Sequence, residues 1–473
     1  MRVCDMRKRV ISRRGICGLL HWLVMPHHEL PKSITLGAMQ QFTGVLGICV
    51  MVVLGLALST NRGKVPWRLV LTGIVVQVLL AAAILKVPLL KDVFEGLGWF
   101  VNQVIAKSEA GIDFVFGSAL RDASKPWGFI FAVKVLPIII FFSALMSVLY
   151  YIGFMQRIVE GLAWALRRSL KVTGAEATCM AANIFIGQTE APLTVRPLIP
   201  GMTRAQLMLI MLGGFAHIAG SVLGAYVMML GGDDLDMRAL YAKHLIAASV
   251  MSAPAAFVMA RIIMPETEVP PAEDTRTLAT ISEEDHANVF DAAASGASTG
   301  LKLALNIGAM LIAFVALLAL LNWPLELIGR NDAVREWMVA RGMTNGLSIQ
   351  VILGQIFAPV AWTMGIEWKD AAVIGGLLGE KLILTEFVAY LHLADAVAAA
   401  KAGTGTLSDR SAQIGAYALC GFANFASIAI QIGGLSALAP TRRKEFAQLA
   451  LRAMLGGAIA TQMTASIAGL FIG

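Results

Sequence analysis

Two carboxylates, Glu190 and Glu386, carry most of the chemistry open to this sequence, and each sits in a short polar interruption of an apolar chain. The first interruption is Asn183-Ile184-Phe185-Ile186-Gly187-Gln188-Thr189-Glu190-Ala191-Pro192-Leu193, which brings two amides, a hydroxyl and a carboxylate together around a glycine and a proline. A continuous helix does not pass through such a stretch. The second runs from Gly379 to Tyr390 and holds Glu380, Lys381, Thr385 and Glu386. A carboxylate at membrane depth costs a few kcal/mol, so it is retained where it lines water, pairs with a cation or binds something. One reading ties each hairpin down with an ion pair, through Arg196 or Lys381. The other makes both carboxylates ligand groups. Gln188, Asn424 and Ser427 fit polar contacts between helices as well as a site. His217 fits a buried neutral imidazole bonded to backbone as well as a titrating group. Phe422 and Phe425 fit the core, the lipid or a stack on a planar ligand.

These residues need elements to position them, and composition says which. Of 473 residues, 57% are hydrophobic and 15% charged, against about 25% charged in a soluble domain. Apolar runs of spanning length (roughly 20 residues) recur at Phe42–Ser59, Leu69–Leu85, Phe129–Phe154, Leu207–Leu230, Leu245–Met264, Leu303–Leu321 and Met454–Ile472. Unbroken runs without alternation indicate helices rather than a barrel. The fold class is an all-α polytopic membrane protein.

The net charge of +7 is no nucleic-acid footprint: Arg2, Arg7, Lys8, Arg9, Arg13 and Arg14, with Asp5, account for +5 of it. The tail Met1–His28 reads as a signal peptide lacking a small-residue cleavage site, as an extension from an upstream start with Met25 or Met39 beginning the fold, or as an interfacial segment. Five scattered cysteines give neither a disulfide framework nor metal spacing. Basic joints at Arg62–Arg68, Arg157–Lys171 and Arg442–Arg452 are cytoplasmic by the positive-inside rule, against the vote of the tail. Gln156–Lys171 is a basic amphipathic helix suited to the interface, and Ala106–Asp122 an amphipathic stretch at the surface.

Leu170 to Pro200 is too short to cross twice and too apolar for water, so it is expected to dip in and return as a re-entrant hairpin. Met264 to Asp291 is a hydrophilic linker that halves the chain. The second half then repeats the first: Thr189-Glu190 precedes Gly213–Ser221, and Thr385-Glu386 precedes Cys420–Ile428. Paired broken segments point to a transporter's central site between inverted repeats. The similarity is loose, with 27 residues from Glu190 to His217 and 38 from Glu386 to Asn424. No Gly-x4-Gly-Lys-[Ser/Thr], His-Glu-x-x-His or Gly-x-Ser-x-Gly occurs, which argues against P-loop ATP drive and against an intramembrane enzyme.

At these residues the chain resembles the concentrative nucleoside transporter family. The resemblance is carried by Ala182–Leu193, Ile218–Leu223, Glu386–Tyr390 and Ala418–Phe425, and runs from about Phe42 to the C-terminus. It implies eight transmembrane helices, interfacial helices and two re-entrant hairpins in inverted repeats, a homotrimer in the bacterial inner (plasma) membrane, and nucleoside symport driven by sodium or protons, with no cofactor. The implied division is a basic tail (1–40), scaffold helices (41–154), a first transport repeat (155–265), the linker (266–291), a scaffold helix and connection (292–330) and a second transport repeat (331–473).

By position, Gln188 and Thr189 would bond the nucleobase, with Glu190 acting nearby through water. Val222 and Phe422 would pack on the base, and Glu386, Asn424 and Ser427 would hold the ribose. Sodium-coupled members place the ion among Asn183, the backbone at Ile186 and Ile218, and a hydroxyl residue at the position of His217. An imidazole there suits a hard cation less than oxygen does, which favours proton coupling through Glu190, Glu386 or His217 over sodium. Thr385 stands where asparagine is frequent. A membrane enzyme or channel using Glu190 and Glu386 is the alternative from another class.

Overall fold

A computed structural model describes residues 36–121, 127, 129–270, 286–339 and 346–472. The readings of the basic tail, Arg2–Arg14 included, and the middle of the hydrophilic linker lie outside the described residues. Every described element is helical.

The apolar runs become helices α1 (Leu36–Ala57), α2 (Trp67–Lys86), α4 (Leu136–Tyr151), α9 (Leu235–Ile263), α10 (Val289–Gly329) and α16 (Arg443–Gly469). Between α2 and α4 lies α3 (Pro88–Phe116), which begins well before the amphipathic stretch expected from Ala106. The basic amphipathic segment is α5 (Phe154–Leu170). It follows a turn at Gly153, whose φ of 75° favours a residue without a Cβ.

The Leu170–Pro200 hairpin has one α-helical arm, α6 (Gly174–Asn183), and one 3-10 arm (Ala191–Gly201). Pro192 at the start of the second arm is tolerated, but Pro197 and Pro200 inside it lack the amide hydrogens an α-helix needs. Capping boxes start both α6, with Thr173 and Glu176, and α7, with Thr203 and Gln206. The run Leu207–Leu230 is broken into α7 (Arg204–Ala216) and α8 (Gly220–Gly231).

In the second half, α11 (Ile349–Thr363) turns through 117° into α12 (Trp368–Ile383). The second hairpin is α12 with α13 (Glu386–Lys401), and it is followed by the broken pair α14 (Asp409–Leu419) and α15 (Phe425–Leu438). The order α5, hairpin, α7–α8, α9 is therefore matched by α11, hairpin, α14–α15, α16. The unequal spacing seen in the sequence comes from a longer second arm (16 residues in α13 against 11), a longer connection to the next half-helix (402–408 against 202–203) and a longer break before α15.

Five helical stretches among the described residues are long and apolar enough to cross a membrane: α2, α4 with its short lead-in, α7–α8, α9 and α10. The bent pair α11–α12 qualifies only as one span, and α1 (over Phe42–Ala57) and α15 are shorter apolar helices. The all-helical membrane fold is thus seen, while five or six spans, not the eight expected, have the length and composition to cross among the described residues. Their burial separates two roles. The apolar window of α9 is 89% buried and that of α7–α8 83%, against 17% for α10. The half-helices α7, α8 and α14 and the helix α9 form the interior, while α10, α2 and much of α15 turn apolar side chains outward.

Four contacts gather the three basic joints onto one face. Thr60, beside Arg62, donates its N–H to Ile263 O at the end of α9 (2.8 Å). Arg261 pairs with Glu176 at the start of α6, directly after α5. Thr203 bonds Glu266 just past α9 (2.7 Å). Arg442 donates to Pro200 O and Met202 O (2.8 and 2.9 Å).

Candidate functional site

Both helix breaks lie against the tip of the first hairpin and against each other. Gly220 N donates to Phe185 O (2.7 Å), and Phe422 N to His217 O (3.3 Å). The crossing is close because it is made of glycine. A Cβ on Gly214 would lie 2.8 Å from Gln188 Cβ, and one on Gly421 would lie 2.8 Å from Phe215 O. The N-termini of α8, α13 and α15 thereby converge, giving three sets of partly positive backbone ends around one point.

At that point Thr385 caps α13, accepting from Val388 N (3.5 Å), so this threonine does the capping work that asparagine also does. Asn424 caps α15 through Ser427 N (2.8 Å) and donates its Nδ2 to Glu386 Oε2 (2.8 Å). The Tyr226 hydroxyl donates to Glu386 Oε1 (3.0 Å). Behind it, Tyr226 stacks on Tyr390 with ring centroids 4.6 Å apart and packs on Phe387. Glu386 is buried, acceptor-only when ionised, and fixed by one donor on each oxygen. The ion pair with Lys381 does not form, because Lys381 bonds Ala418 O and Thr461 instead. Arg196 is exposed.

A cavity of 150 Å³ lies between the two hairpins, room for roughly ten waters or a small solute. All eight expected substrate residues line it: Gln188, Thr189, Glu190, Val222, Glu386, Phe422, Asn424 and Ser427. Phe425, weighed with Phe422 as a stacking ring, is instead half exposed and outside the cavity lining. The buried Gln188 Oε1 has no hydrogen-bond partner among the described residues, as suits an acceptor kept for a ligand.

A larger cavity of 820 Å³ adjoins it, sharing Glu190, Ser221 and Leu303 and extending along Tyr150, Gln156, Arg157 and Glu160. Glu190 thus stands at the boundary of both, and its Oε2 accepts from Gly187 N (3.4 Å).

The four residues expected to couple an ion lie beside the smaller cavity, not in it. Gly213 joins two of them. His217 Nδ1 meets Gly213 O at 2.7 Å, and a Cβ on Gly213 would lie 3.3 Å from Asn183 Nδ2. A carbonyl only accepts, so Nδ1 carries the proton and a neutral His217 has its lone pair on Nε2. Both Nε2 and Asn183 Oδ1 are buried without a hydrogen-bond partner among the described residues. Ile186 and Ile218 flank the Phe185–Gly220 bond. The described residues hold no cluster of three or more His, Cys, Asp or Glu that could bind a metal.

Sequence reasoning missed several neighbours. Leu303, Ile307, Met310 and Leu311 of α10 close one wall, and as apolar side chains in a spanning run they carry no mark of their own. Tyr226 was discoverable, since a tyrosine in an apolar run needs a partner for its hydroxyl. Gln431, fully buried, donates Nε2 to Met211 O (2.9 Å) beside Gln188 and Gly214.

Broken helices, paired hairpins and a cavity that gathers polar side chains within apolar walls are the architecture of a multi-pass membrane transporter. Three family models match: "Na+ dependent nucleoside transporter N-terminus" over residues 46–119, "Nucleoside recognition" over 132–233 and "Na+ dependent nucleoside transporter C-terminus" over 244–469. An uncharacterized transporter of Haemophilus influenzae is 45% identical, covering 92% of this chain and 99% of its own. Sodium/nucleoside cotransporter 1 of Sus scrofa is 38% identical over 98% of this chain and 68% of its own. The solved structure of CNTnw in an inward-facing substrate-bound state is 41% identical, with a TM-score of 0.79 over 91% of this chain and 97% of that one. The chain belongs to the concentrative nucleoside transporter family, a family of transporters and not of enzymes.

Proposed function

We propose that this protein imports nucleosides across the plasma membrane by symport, with protons as the driving ion. The observation that carries the substrate reading is Glu386, held by Tyr226 and Asn424 across the cavity from Gln188, Thr189 and Glu190. A fixed carboxylate accepts from the two ribose hydroxyls. The Gln188 amide matches a base edge as donor and acceptor, and Val222 and Phe422 offer apolar faces to the ring. Glu190, at the mouth of the larger cavity, acts through water.

The proton reading rests on His217. Its imidazole occupies Gly213 O, where a cation ligated by oxygen would look for a carbonyl, and its Nε2 lone pair has no hydrogen-bond partner among the described residues. A sodium reading is favoured by Asn183 Oδ1, a buried oxygen without a partner, with Ile186 and Ile218 supplying backbone carbonyls. It is also favoured by the relatives named as sodium cotransporters.

Uptake of labelled uridine into proteoliposomes decides. Accumulation in sodium-free buffer at pH 5.5 that collapses with a protonophore is expected. Uptake that requires sodium and ignores pH overturns the proton reading, and His217→Ser would in the expected case acquire sodium dependence. Failure to concentrate nucleoside under either gradient overturns the transporter reading. The proposed homotrimer is checked by the mass of the detergent-solubilised protein.

A further inference from the structure

In each half, the last turn of the first hairpin arm sends a polar side chain to the C-terminal end of the next half-helix. Asn183, the last residue of α6, reaches Gly213 near the end of α7. Its counterpart is Lys381 in the last turn of α12. Lys381 is 3% exposed and donates to Ala418 O (2.9 Å), near the end of α14, and to Thr461 Oγ1 (3.1 Å) of α16.

No carboxylate pairs with this ammonium among the described residues. Glu380, its neighbour in the chain, is engaged by His392 Nδ1 at 2.9 Å, and Glu386 by Tyr226 and Asn424. Glu386 acts on the charge only from beyond ion-pair distance. In direct contact the charge meets a carbonyl, a hydroxyl and the partly negative end of a helix. Those are the donors from which a broken transporter helix builds a site for a small monovalent cation.

We propose that the Lys381 ammonium is a resident cation of the second hairpin, holding at the end of α14 the place a small monovalent cation would take. Ion coupling is thereby confined to the first half, and the tip carrying Thr385 and Glu386 stays fixed to α14 and α16 without a diffusible ion. The consequence for coupling rests on the symport reading above; the occupancy of the site does not.

The test is chemical replacement of the missing charge. Full-length wild type, Lys381→Ala and Lys381→Met are melted in detergent, in choline chloride and in methylammonium or sodium chloride of equal strength. Methylammonium or sodium is expected to raise the Tm of Lys381→Ala by at least about 2 °C more than that of wild type. Lys381→Met, which fills the space without accepting a cation, is expected to show no such excess. Lys381→Ser, which offers a hydroxyl to the cation, replaces the alanine variant if that one does not fold. An excess shift absent from both small variants overturns the proposal. In proteoliposomes, uridine uptake by Lys381→Ala is expected to fall at least roughly tenfold in choline and to recover in part with methylammonium. Wild type that fails to concentrate uridine overturns the transport reading alone, since the melting comparison does not depend on it.

Discussion

On the proposed nucleoside reading, affinity turns on Glu386, the buried carboxylate of the smaller cavity with a donor on each oxygen. Its remaining lone pairs are the acceptors that the proposal assigns to ribose. A hydrogen bond to a charged group contributes about 1.5–3 kcal/mol, so Glu386→Gln is expected to weaken uridine binding roughly 10–100-fold. Calorimetry on purified protein measures this, and discrimination against 2′- and 3′-deoxyuridine should shrink in parallel. Wild-type affinity in the variant would remove Glu386 from the ribose site. Tyr226→Phe removes one of the two donors and keeps the stack on Tyr390, so a smaller loss, about fivefold, is expected. Single residues were legible in the sequence where a polar atom interrupted apolar surroundings, as at Gln188, Glu190 and Asn424. They were not legible where the site is closed by ordinary core residues, as at Ile307 and Met310, because an apolar side chain facing a cavity looks like one facing lipid.

At the scale of elements, the hairpins are held by their outer ends. Arg261 bridges Glu176 on the first arm of the first hairpin and Glu266 just beyond α9 (3.6 Å), while Thr203 at the start of α7 bonds Glu266. Removing one partner strands a buried charge, at about 3–5 kcal/mol. Arg261→Ala is therefore expected to lower the Tm of solubilised protein clearly. Glu176→Gln with Arg261→Met should recover part of the loss, because the neutral pair leaves no charge unpaired. If the double variant is as unstable as the single one, the cluster does not clamp the hairpin electrostatically. A second prediction concerns the crossing of the breaks. Gly214→Ala must move Gln188 or Gln431, whose Nε2 would lie 2.5 Å from the new Cβ. Nucleoside affinity should fall while the melting temperature changes little, and an unchanged Kd would mean that Gln188 does not position the base. The first hairpin was readable from its glycine, its prolines and its length. The arm lengths of the second were not, since α12 and α13 continue an apolar run and only Leu384 and Thr385 separate them.

For the whole molecule, the decisive relation is between the basic face and the larger cavity. The joints at Arg62–Lys64, α5 and Arg442 share one face through the contacts of Thr60, Arg261, Thr203 and Arg442. The positive-inside rule assigns that face to the cytoplasm. The 820 Å³ cavity runs along Gln156, Arg157 and Glu160 of α5 and reaches the nucleoside cavity at Glu190 and Ser221. The smaller cavity in this conformation thus adjoins a cavity on the face that the positive-inside rule assigns to the cytoplasm. Ser221→Cys, in a chain with Cys4, Cys17 and Cys49 replaced, should react with a membrane-impermeant maleimide added to inside-out vesicles. Saturating uridine should slow that reaction several-fold, because nucleoside and reagent compete for one passage. Lys64→Cys and Lys444→Cys should label from the same side and Asp236→Cys from the other, fixing orientation independently of transport. Labelling of Ser221→Cys only from the Asp236 side would mean that the cavity along α5 is not the route by which nucleoside leaves.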